Sequence, residues 1–107
     1  MESRYKKKFY EMANLTKEDT GLPYIIWITP SSGKEKHWAR IKVSYKNELI
    51  PVSISDDPKI MIKGKQLPKF SVIKKFIVDN KDLLLEYWNS KGNMSLKIIF
   101  DRLKKVE

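Results

Sequence analysis

The chain has 107 residues at 12.7 kDa, room for one domain around one core, and its 41% hydrophobic and 33% charged content is a globular balance too apolar for a disordered chain. It has no cysteine and one histidine, His37, which excludes disulfides, thiolate nucleophiles, iron–sulfur clusters and zinc sites built on cysteine or paired histidines. The formal net charge of +9, from 22 Lys and Arg against 13 Asp and Glu, points to a polyanionic partner or to a heavily solvated surface.

Residues 1–19 read as an N-terminal arm or short helix, with Tyr5, Phe9, Met12 and Ala13 on one helical face. Charges fill this segment where a secretory signal needs a continuous apolar stretch, so the expected compartment is the cytoplasm. Gly21-Leu22-Pro23 then stops any helix and opens a single α+β domain over residues 20–107. The longest apolar run, the five residues Tyr24 to Ile28, is far short of the roughly 18 that a membrane span requires.

Four short strands are expected in succession. The β-branched and aromatic run 24–29 ends at Pro30-Ser31-Ser32-Gly33. Residues 40–46 alternate strictly, with Ile41, Val43 and Tyr45 on one side and Arg40, Lys42, Ser44 and Lys46 on the other. A hairpin turn at Asn47-Glu48 leads to 50–55, with Ile50, Val52 and Ile54 inward and Pro51 demanding an edge, a bulge or a strand start. After Asp56-Asp57-Pro58, residues 59–63 place Ile60 and Ile62 inward and Lys59, Met61 and Lys63 outward. Short turns between neighbours make a four-stranded antiparallel meander the simplest topology.

The period then changes. Ile73, Phe76, Ile77, Leu84, Tyr87 and Trp88 form one stripe at spacings of three and four, which predicts a long helix over 69–89 with Tyr87 and Trp88 closing the core. Asn80 falls inside that stripe, so it must either bond backbone elsewhere or mark an irregularity. Ser95 is an expected N-cap for a short C-terminal helix whose apolar residues are Leu96, Ile99, Phe100 and Leu103.

The charge has an address. Lys34 to Lys75 holds eleven basic residues against Glu35, Glu48, Asp56 and Asp57, a net of +7 out of +9. Strand phase puts Arg40, Lys42, Lys46, Lys59 and Lys63 on one sheet face, with Ser44, Ser53 and Ser55 between them. Trp27 or Trp38 would supply a stacking surface for an unpaired base, as in sheet-based single-strand binders. The competing reading of Trp27 is burial on both faces of its strand beneath residues 1–19. Only Arg4, Arg40 and Arg102 are arginines, and lysine serves solubility as readily as phosphate recognition.

The leading expectation is therefore a small non-catalytic module for RNA or DNA, with Arg40, Lys42, Lys46, Lys59, Lys63, Trp27, Trp38 and His37 as candidate contacts. A protein-interaction module docking an acidic or nucleic-acid-binding partner is the second, in the manner of a phage or mobile-element inhibitor or a toxin–antitoxin component. A metal-independent ribonuclease around His37 and Arg40 is the third, and it lacks an assigned second proton-transfer group. Asp56-Asp57-Pro58 reads as a turn rather than a cation site. No glycine-rich phosphate loop is present, and no cofactor is implied.

The segments GLPYIIWI (21–28), HWARIKVS (37–44) and FIVDNKDLLLEYWNS (76–90), with PVSISDDPKI between them, resemble a family of short bacterial proteins of unknown function found also in mobile elements. Trp38-Ala39 stands where that family usually has Gly-Pro, while His37 and Arg40 match. The resemblance implies no activity or partner. It implies that His37 and Arg40 are the matched polar positions and that residues 1–19 are an appendage.

Overall fold

A computed structural model describes residues 13–31 and 38–106. The fold is α+β, with a four-stranded antiparallel sheet followed by helices. The strands β1 (Ala13–Leu15), β2 (Ile26–Ile28), β3 (Arg40–Tyr45) and β4 (Glu48–Ser53) lie in the order in which they occur along the chain. A single helical turn, α1 (Lys17–Thr20), separates β1 from β2, and α2 (Phe70–Asp79), α3 (Lys81–Asn89) and α4 (Leu96–Arg102) follow the sheet. No helix among the described residues is long and apolar enough to cross a membrane.

Alternation in β3 and β4 sorts the sheet into two faces. Ile41 stands opposite Val52 and Val43 opposite Ile50, and all four are buried together with Leu15, Ile26 and Ile28. These side chains share one core with Ile73, Phe76 and Ile77 of α2, Leu83, Leu84 and Tyr87 of α3, and Ile99 of α4. Moving each aliphatic side chain out of water contributes roughly 1.5–3 kcal/mol, so this face holds most of the folding energy of the sheet.

Five expectations need correction. Ala13 begins β1 instead of continuing a helix, and Tyr5, Phe9 and Met12 lie outside the described residues. The β3–β4 turn is Lys46-Asn47, both at positive φ (50° and 63°), as a two-residue hairpin loop requires. β4 therefore starts at Glu48, with its inward phase unchanged.

The expected strand 59–63 contracts to one bridge, Val52 to Ile60. Pro51 explains this. Its carbonyl accepts from the Met61 amide at 2.9 Å, on the side away from β3, but proline has no N–H to return to Met61, so the ladder stops after one ring.

The long helix is two helices. Asn80 closes α2 and opens α3 at φ −114°, and its buried amide explains the break. Its Nδ2 donates to the Phe76 carbonyl at 3.0 Å and the Lys104 carbonyl at 2.9 Å, while Oδ1 accepts from the Lys104 amide at 2.8 Å. The side chain thereby ties down the segment after α4. That segment also reaches α1, where the Val106 amide donates to the Thr20 carbonyl at 2.8 Å. At Gly21, with φ 79°, an added Cβ would meet the Val106 carbonyl oxygen, so only glycine fits. In α4, Ile99 alone is fully buried, and Leu96 and Phe100 are exposed where the expected stripe had them inward.

Candidate nucleic-acid interface

The second face of the sheet carries the candidate residues. Register aligns Asn14, Trp27, Lys42 and Pro51 across all four strands in one row, because Asn14 pairs with Trp27, Trp27 with Lys42, and Lys42 with Pro51. The Met61 amide bonded to Pro51 extends the row by one residue. Flanking it on one side are Ile25, Ser44 and Leu49, and on the other Arg40, Ser53 and Lys59. Trp27 is half-buried within its row, whereas Ile25 and Leu49 are 40% and 38% exposed. Among the described residues, β1 is the sheet neighbour of β2 and does not lie over Trp27.

Arg40 is held in place. Its guanidinium carbon lies 5.4 Å from the centre of the Trp88 ring, and Nη1 donates to the Trp38 carbonyl at 3.3 Å. Trp88 is buried, as the sequence pattern expects, although it stands outside the main apolar cluster, and its ring also serves as a platform for Arg40. Beside Arg40, a hollow of about 220 Å³ is bordered by Pro51, Met61 and Ile62. A second, of about 350 Å³, lies by Ile25 and is bordered by Thr16, Lys17 and Glu18.

Of the five cations expected on this face, the structure sets Lys42 opposite Trp27 and Arg40 two residues away in the same strand. Lys46 sits in the hairpin turn with its ammonium 5.4 Å from the Tyr45 ring centre. Lys59 stands opposite Ser53, and its ammonium is 3.2 Å from Asp57. Lys63 lies past the bridge in an exposed turn. Trp38 is 79% exposed just ahead of β3, and His37 lies outside the described residues.

The expected hydroxyls are partly committed. The Ser53 hydroxyl accepts from the Lys59 amide at 2.9 Å and is 3.2 Å from that of Ser55, so this pair shapes the loop.

Asp56 and Asp57 act as a connector. Asp57 also meets Lys74 of α2 at 2.9 Å, and Asp56 pairs with Lys81 of α3. Hydrogen bonds from Lys74 and then Lys59 hold the Asp57 carboxyl below its ordinary range. Lysine ammonium groups therefore occupy this acidic pair, and the described residues contain no group of three or more His, Cys, Asp or Glu able to hold a metal. None of the ion pairs among the described residues uses Lys42.

Sequence reasoning missed the platform role of Trp88 and the hollow. The outward phase of Met61 was visible in residues 59–63, but the approach of Trp88 to Arg40 spans 48 positions and leaves no local signal. No protein-family model, curated protein or solved structure matches this chain.

Proposed function

We propose that the chain is a small non-catalytic binding module for nucleic acid, working through the sheet face opposite the helices. The observation that carries this reading is the direct pairing of Trp27 with Lys42, an aromatic surface beside a cation that has no acidic partner among the described residues. Bases offer π-faces to an indole and phosphates offer charge to an ammonium, so one ligand satisfies both groups. Arg40 adds a positioned guanidinium, and Lys46, Lys63 and Trp38 would extend the contact at its margins, with His37 a further contact on the sequence alone. Lys59 would join only by leaving Asp57. The same reading puts the protein in the cytoplasm, where RNA and DNA are met.

Titration of a fluorescent mixed-sequence oligonucleotide, followed by anisotropy from low to physiological salt, tests this. The logarithm of affinity should fall linearly with the logarithm of salt, because each neutralised phosphate releases counterions. Absence of binding even at low salt would overturn the reading.

A second reading, docking of a protein partner, draws support from Ile25, Leu49 and Ile62, which are apolar, 38–40% exposed, and on or beside the same face. Co-purification of one defined protein free of nucleic acid would select it.

A further inference from the structure

We infer, building on the nucleic-acid reading, that the ligand is a single strand with unpaired bases, one base seated in the hollow between Arg40, Pro51, Met61 and Ile62 and another against Trp27. The hollow is lined by three apolar residues, Pro51, Met61 and Ile62, and by Arg40. Its volume of about 220 Å³ falls below the roughly 300–1,000 Å³ of sites that enclose whole small molecules, and so suits one planar part of a larger ligand. A nucleobase combines what those walls ask for: apolar faces for Pro51, Met61 and Ile62, and ring acceptors for an arginine N–H.

Arg40 is arranged in advance. Stacking on Trp88 and the bond to the Trp38 carbonyl fix the guanidinium and use one of its five N–H groups, so little freedom is lost when a ligand takes another. Trp27 lies one strand from Pro51's neighbour Lys42 in the same row, and strands are about 4.8 Å apart. The stacking surface and the hollow are thus separated by about 10 Å, two strand spacings, with Lys42 between them for the intervening phosphate.

Duplex offers this face no advantage. Its bases are stacked on each other and shielded, leaving phosphates alone, and Arg40 and Lys42 are too few cations to hold a duplex by charge only. The chemistry of the face is that of a single-strand surface, in which aromatic and apolar contacts to bases supplement a modest positive charge.

The test compares three probes of equal length on the full chain: a single-stranded oligonucleotide, its duplex, and an abasic single strand with the same backbone. The natural single strand should bind at least tenfold tighter than either of the others. Ile62→Trp, a change at a 40% exposed position that fills the hollow, should weaken the natural strand several-fold, leave the abasic strand unaffected, and keep the thermal midpoint. Equal binding of all three probes would overturn the inference while leaving the nucleic-acid reading intact. Equal weakening of natural and abasic strands by Ile62→Trp would remove the base from the hollow. Binding of none of the probes would overturn both.

Discussion

Neighbouring residues at the start of β2 and within β4 meet opposite fates on the two faces of the sheet. Ile26 is fully buried while Ile25 is 40% exposed, and Ile50 is 2% exposed while Leu49 is 38% exposed. The backbone is the same and the residue types are nearly so. The difference teaches that the helix-facing side supplies folding energy, and that the other side carries apolar and basic groups at little cost to stability. A surface free of that structural duty is available for binding.

The sharpest way to break this division is to truncate the two members of one pair. Ile50→Ala should destabilise by about 2–5 kcal/mol, from lost transfer energy plus the cavity left behind. Leu49→Ala should stay within about 1 kcal/mol of wild type. Urea unfolding of both variants decides it. Similar losses would mean that the second face is packed as well.

Asn80→Ala comes next. It removes three hydrogen bonds, two of them to Lys104, and should cost about 1–3 kcal/mol. Amide exchange at residues 104–106 should accelerate along with it. A stable variant with a protected C-terminal segment would show that Asn80 does not hold that segment.

Pro51→Val sharpens the account of the missing strand. The new amide can donate to Met61 and extend the ladder, a gain of about 1 kcal/mol offset by the entropy that proline withholds from the unfolded chain. Net stability should change little, and the new amide should exchange slowly. Rapid exchange would mean that something other than the absent donor ends the pairing.

Asp57→Asn carries the smallest effect. The native carboxyl is held below its unfolded range by Lys74 and Lys59, so it contributes stability above the ordinary carboxylate pKa. That contribution is lost as pH falls through the depressed value. The groups are exposed and screened, so wild type and variant should differ slightly at neutral pH and converge in acid, and added salt should shrink the gap. A gap that widens in acid would contradict the pairing.

How much of this was legible follows physical range. Alternation in 40–46 and 50–55 is local, and it placed Ile41, Val43, Ile50 and Val52 inward correctly. The edge demand of Pro51 was also legible, although its effect on residues 59–63 required knowing which side of β4 its nitrogen faces. β1 has three residues and exists through its pairing with β2, and of the helical face Tyr5, Phe9, Met12 and Ala13 only Ala13 lies among the described residues. The break at Asn80 involves Lys104, 24 residues away, while the apolar stripe resumes in phase beyond Asn80.

For the candidate site, strand phase offered Trp27 and Lys42 on one side of the sheet, but their register as direct partners was not legible. Nor were the capture of Lys59 by Asp57 and the support of Arg40 by Trp88, because both depend on side-chain directions at strand ends.

The central claim is that binding belongs to one face of the sheet and not to the net charge of +9 at large. Lys42→Glu and Lys97→Glu make the same charge change, the first beside Trp27 and the second on the exposed surface of α4. Their affinities for a single-stranded oligonucleotide, measured across a salt series, test the claim most directly. Lys42→Glu should weaken binding about tenfold or more and flatten the salt slope by about one, while Lys97→Glu stays close to wild type. Equal losses in the two variants would contradict it.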